Sequence, residues 1–181
     1  MMKRKHELLL MALGLIPFIF AAATALADIN KFFLIDDINR LVGLYCLVII
    51  SFMCGVVWGI TLMRILPGKQ LLKFSWHGHG KYLYLSNALA LSVWFGFFFA
   101  PNSQIFFIIS SICFCILLLI DKQFYELNII DIGYFKSRCL ITVGVLVCLL
   151  VITIKSFSVW LSESDILFIW FYLILSQALL G

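Results

Sequence analysis

The charged positions of this chain fall in the gaps between long apolar runs. Five such runs, residues 8–27, 41–63, 82–100, 105–120 and 139–154, carry no charged side chain. Sorting of this kind is imposed by hydrocarbon, where only a helix or a closed barrel satisfies its own backbone, so each run is predicted to be a transmembrane helix. A sixth run, residues 165–180, is weaker: at about 1.5 Å per residue it reaches some 25 Å, against a hydrocarbon core of roughly 30 Å. It starts well, because Ser162, Glu163, Ser164 and Asp165 offer capping oxygens and an acidic first turn, and Trp160 and Trp170 suit an interface. The pattern therefore predicts an all-α polytopic bundle of about six transmembrane helices, with an interfacial helix as the alternative for residues 165–180.

Composition agrees with that class. Hydrophobic residues make up 64% of the 181, charged residues only 12%, and the mean hydropathy is +1.13. A soluble domain is closer to 45–50% apolar and about 25% charged, so one compact membrane domain over residues 1–181 is expected. The net charge of +4 acts as a topology signal and not as a nucleic-acid footprint. Counted by gap, ten Lys and Arg residues lie on one side of a six-span arrangement and three, Lys31, Arg40 and Lys155, on the other. Positive residues stay inside, which predicts cytoplasmic N- and C-termini; dropping the sixth span would move the C-terminus alone. Lys3, Arg4, Lys5, the apolar core after them and Ala25-Leu26-Ala27 also spell a cleavable signal peptide, the rival to a retained first span.

Lipid tails are as apolar as leucine, so spans associate through close backbone approach and hydrogen bonds. Small residues at every fourth position mark such faces. The second run has Ser51, Gly55 and Gly59 in that register, and the third has Ala88, Ser92, Gly96 and Ala100. These two stripes predict a tightly packed pair of helices, with chance occurrence of Gly and Ser as the competing account. Asn87, the carboxamide well inside a strong span, is expected to bond between helices. Pro17 should bend the first helix and free a carbonyl for a neighbouring helix to satisfy. Pro101-Asn102-Ser103-Gln104 predicts a tight turn that makes the third and fourth helices antiparallel neighbours.

Candidate chemistry is thin. The six cysteines fall within or at the edges of spans, and Cys113 and Cys115 are two apart, on nearly opposite helix faces, so they are read as small apolar filler and not as ligands. His77 and His79 form the one histidine pair, beside Lys73 and Lys81; a loop facing lipid headgroups, with Trp76 at the interface, accounts for them more simply than a metal. Buried acids or bases mark pumps, carriers and voltage sensors, and here Asp28, Asp121 and Lys155 stand at span ends. No catalytic pair and no phosphate loop is visible, so neither an enzyme nor a bound cofactor or metal is expected.

Several short blocks carry a family likeness: Gly14-Leu15-Ile16-Pro17-Phe18; Tyr45; Ser51-Phe52-Met53-Cys54-Gly55-Val56-Val57-Trp58-Gly59; Ser86-Asn87 with Trp94; Asp121; and Tyr134-Phe135-Lys136-Ser137-Arg138. Together they resemble the transmembrane protein 69 family of bacterial and mitochondrial membrane proteins, whose shared region is a domain of unknown function of the DUF3429 type. The likeness covers roughly residues 8–154, and the Gly-x-x-Trp-Gly block that contains Trp58 is its most specific part. It implies that the first span is retained. It implies no activity, so residues 165–180 and any function rest on the composition and the residues themselves.

The expectation is thus a multi-pass protein of a bacterial inner membrane, structural, scaffolding or assembly-promoting in role. Its partners would be the bilayer and other membrane proteins or a second copy of itself, with no nucleic acid. Its helix-packing candidates are Pro17, Ser51, Gly55, Trp58, Gly59, Asn87, Ser92, Gly96 and Ala100. The alternative is a small carrier or channel lined by Ser51, Thr61, Asn87, Ser92 and Ser110.

Overall fold

The computed structural model describes residues 2–27, 37–65, 76–100 and 103–180, with side chains left out for 2–8, 10, 64–65, 76–79 and 158–180. These residues form five helices: α1 (Met2–Leu26), α2 (Ile38–Ile65), α3 (Trp76–Phe99), α4 (Gln104–Glu126) and α5 (Ile132–Leu180). Four stretches are long and apolar enough to cross a membrane, Ile38–Met63, Gly80–Phe99, Gln104–Glu126 and Ile132–Phe157, and α1 adds the apolar Met11–Leu26. Pro17 lies inside α1, which remains one helix.

The separate sixth helix does not form. Ser162 to Asp165 lie inside α5, a single helix of 49 residues. The reason is local: between Gly144 and Gly181 the sequence has neither Gly nor Pro, and polar side chains alone do not stop a helix.

Helix ends follow their sequence signals. Asp37 Oδ1 accepts from the Arg40 amide at 3.1 Å and Ser103 Oγ from the Phe106 amide at 3.2 Å, so each caps the helix behind it. Asp131 Oδ2 accepts from the Gly133 amide at 2.9 Å. Just before it, Asn128 turns the chain at φ 54°, a left-handed conformation that asparagine tolerates better than most residues.

Register fixes the helix directions. Tyr82 with Gln123, Ser92 with Cys113 and Gly96 with Ile109 have residue numbers that share one total, as antiparallel α3 and α4 require. Asp121 with Arg138 and Tyr125 with Phe135, whose totals differ by one, show the same antiparallel register for α4 and α5. Around the bundle the order is α1, α5, α4, α3, α2, with α2 also touching α4 across the middle; α1 packs most extensively on α5 and only lightly on α2. The core is aromatic and aliphatic, built on Phe18, Ile50, Val57, Val93, Phe106, Phe107, Leu117, Phe124, Leu149 and Ile152. Phe18 sits edge-on to Phe114 at 6.1 Å and tilted against Tyr45 at 5.1 Å, which ties α1 to α4 and α2.

Candidate functional site

Two oppositely charged residues meet inside the bundle. Asp121 comes seven residues before the Asn128 turn and Arg138 seven after the Asp131 cap, so the α4–α5 hairpin brings them level. Arg138 Nε donates to Asp121 Oδ2 at 3.0 Å, and the two side chains are 11% and 6% exposed. Tyr125 and Phe135 stack beside the same turn, 5.3 Å apart and nearly parallel. In the sequence each charged residue stands at a span edge, which hides the pair; the signal is their equal spacing from a short interhelical turn. Nearby, Tyr82 donates to Gln123 Oε1 and packs edge-on to Phe124, tying α3 to the same end of α4.

A cleft of about 230 Å³ opens beside Arg138, where α1, α2, α4 and α5 meet. Its walls are Met11, Gly14 and Phe18 of α1, Ile49 and Phe52 of α2, Phe114 of α4, and Arg138, Ile141, Thr142 and Val145 of α5. Thr142 is buried, and its hydroxyl has no hydrogen bond among the described residues. Arg138 and Thr142 are four apart on α5 and share one helical face.

The sequence-derived packing residues divide. Gly96 lies against Phe106 and Ile109 of α4, where an added Cβ would stand 3.5 and 3.6 Å from their side chains, and Ser92 Oγ is 3.9 Å from Cys113 Sγ. That part of the α3 stripe packs on α4, not on α2. Ala100 closes the helix end, its carbonyl accepting from Ser103 Oγ at 3.0 Å, while Pro101 and Asn102 are outside the described residues. The α2 stripe takes no part in packing among the described residues: Ser51, Gly55 and Gly59 are exposed, and a Cβ on either glycine would meet nothing within 4 Å. Trp58, 36% exposed, lies on the same outer side. Asn87 is exposed too and makes no hydrogen bond among the described residues, so the expected interhelical amide bond is not formed there. The physical reason is that α2 buries the stripe of Ile50, Met53, Cys54 and Val57 on its other side, while the larger Phe52, Trp58 and Met63 stay exposed with the glycines, so small size alone does not select the packed face.

Most hydroxyls in the spans satisfy themselves. Thr24, Thr61, Ser86, Ser92, Ser111 and Thr153 each donate to a carbonyl three or four residues earlier in their own helix. Ser110 Oγ is buried with no hydrogen bond of ordinary geometry among the described residues, and the Cys46 thiol of α2 lies beside it. Thr61 and Ser110 are thus inside while Ser51 and Asn87 face out, so the five polar residues proposed as a transport lining do not converge. Near Pro17, Tyr45 donates to the Gly14 carbonyl at 2.9 Å; that acceptor is next to the Leu13 carbonyl, which Pro17 deprives of its amide. Close approach also occurs away from the two stripes: a Cβ on Gly144 would stand 3.1 Å from Leu15 Cδ2, so this glycine lets α5 lie against α1. Cys46, Cys54, Cys113 and Cys148 are buried and Cys115 is exposed. His77 and His79 belong to the first turn of α3, and their side chains are outside the described residues.

A family described as a protein of unknown function (DUF3429) matches residues 3–154, a span that includes α1 and the Asp121–Arg138 pair. No curated protein and no solved structure matches the chain.

Proposed function

We propose that this chain, which belongs to the DUF3429 family of proteins of unknown function, is a non-enzymatic scaffold or assembly factor of a bacterial inner membrane. The outward face of α2 carries the proposal. Ser51, Gly55 and Gly59 make an exposed strip whose glycines meet no neighbour among the described residues, and Asn87, without a hydrogen bond among them, lies on the neighbouring helix α3. Antiparallel packing of α2 on α3, with Cys54 beside Ala90, puts Asn87 at the height of Trp58. Polar groups and bare glycines facing acyl chains gain most from another helix, which approaches the backbone closely and supplies hydrogen-bond partners. The occupant is a transmembrane helix of another protein or of a second copy.

The charge asymmetry supports a cytoplasmic N-terminus and a cytoplasmic position for residues 66–75. A continuous α5 favours a C-terminus on the far side, whereas six crossings with both termini inside would need a break in α5 near Ser162.

The test is in-membrane crosslinking from a photoreactive residue at position 48, exposed and two turns before Gly55 on the same face of α2, followed by partner identification. Gly55→Leu should leave the fold intact, since nothing crowds that Cβ, and abolish the crosslinked product. A chain that crosslinks to nothing in native membranes, or a Gly55→Leu variant that crosslinks as before, would overturn the proposal.

A further inference from the structure

We infer that the cleft beside Arg138 is a binding site for one anionic phospholipid, with the phosphate on Arg138 and Thr142 and an acyl chain along the apolar walls. The guanidinium has five N–H donors, and Nε alone is engaged, by Asp121. The four N–H groups on its terminal nitrogens have no partner among the described residues. Thr142, one turn deeper on the same face and 3% exposed, presents a second unpaired donor where the cleft begins. Beyond it every wall is apolar: Phe18, Ile49, Phe114, Ile141 and Val145. Donors at one end and hydrocarbon at the other match an amphiphile, not a free ion.

Position selects the headgroup. Arg138 is six residues into α5, about 9 Å from its start, a depth that suits the boundary between headgroup and acyl chain. The first turn of α5 and the first turns of α1, which contain Lys3, Arg4 and Lys5, lie at the same end, because Leu15 is level with Gly144 and the two helices run parallel. Lys122 and Lys136 are exposed there as well. Asp121 offsets Arg138 and Glu126 pairs with Lys122 at 3.8 Å, yet by sequence this end carries more Lys and Arg than Asp and Glu, and basic pockets between helices on the cytoplasmic side favour anionic headgroups. A phosphodiester also accepts the paired N–H fork that arginine presents. Asp121 then acts as a positioning residue: its bond to Nε turns the remaining N–H groups toward the cleft. This site is independent of the α2 face.

Native mass spectrometry of the full chain in detergent provides the test, with phosphatidylglycerol and phosphatidylcholine of identical acyl chains. Phosphatidylglycerol should be retained about fivefold better, the equivalent of one arginine near a charged headgroup. Arg138→Gln should remove the preference, and Thr142→Val should reduce it about threefold, one hydrogen bond's worth in a membrane protein. Asp121→Asn, which leaves the guanidinium uncompensated, should increase it. Met11→Trp, which fills the cleft, should lower retention of both lipids, and glycerol phosphate without acyl chains should displace neither. Equal retention by the unaltered protein, an unchanged preference in folded Arg138→Gln, or displacement by glycerol phosphate would each overturn the inference. Should Arg138→Gln not fold, Thr142→Val and Met11→Trp decide, because neither breaks the ion pair; both behaving like the unaltered protein would overturn it as well.

Discussion

Replacing either member of the Asp121–Arg138 pair alone should be among the most damaging changes in this bundle, and replacing both should be much milder. At 3.0 Å the attraction between the two charges is about 5.5 kcal/mol with an effective dielectric of 20. Desolvation of both groups offsets most of that, so the pair as a whole gives little net stability over a well-packed apolar substitute. A single replacement is different: Arg138→Met strands a carboxylate that is 6% exposed, and Asp121→Leu strands a guanidinium that is 11% exposed. Each should cost roughly 3–5 kcal/mol, whereas Asp121→Leu with Arg138→Met should fall within about 2 kcal/mol of the unaltered protein. At 4 kcal/mol the folded-to-unfolded ratio drops about a thousandfold. Reversible unfolding in mixed micelles, followed by circular dichroism across a series of anionic detergent fractions, gives all four corners of the cycle. Single variants within about 1 kcal/mol of the unaltered protein, or a double variant as unstable as the singles combined, would show that the pair does not lock α4 to α5.

Three smaller effects are accessible in the same unfolding assay. Gly144→Leu should destabilise by about 1–3 kcal/mol, because its side chain would occupy the space of Leu15, and Leu15→Ala in the same chain should recover part of the loss. Tyr45→Phe should cost about 0.6 kcal/mol, the mean for an interhelical hydrogen bond in a membrane protein, and leave the Phe18 ring contact in place. Ser110→Ala should be neutral or stabilising by up to about 1 kcal/mol, since the buried hydroxyl it removes has only the weakly accepting Cys46 thiol beside it; a clear destabilisation would mean that the hydroxyl is satisfied in the membrane.

Hydropathy made the spans legible, because length and charge exclusion are properties of each segment alone. The small-residue stripes were legible as stripes but not as contacts. Whether Gly55 faces a neighbour or lipid depends on which side of α2 is buried, here the stripe of Ile50, Met53 and Val57, and that choice is made by the whole bundle. Gly144, by contrast, has no Gly, Ala or Ser four positions away on α5, yet it makes the tightest glycine contact among the described residues. The ion pair needed the position of the α4–α5 turn before its two members could be seen as level. Cap residues in 162–165 suggested a new helix, but a cap marks a helix start only where something has ended the previous helix, and nothing in 145–180 does so.

The extensive seating of α1 on α5 sets an order of events during biosynthesis. Leu15 leaves the ribosome about 130 residues ahead of Gly144, a delay on the order of ten seconds at ordinary synthesis rates. Through that interval the first span has reached the bilayer without its principal mate, and the three spans made in between must settle around the gap that the last one fills. Assembly of this protein is therefore closed by its latest helix, like a ring joined at the clasp.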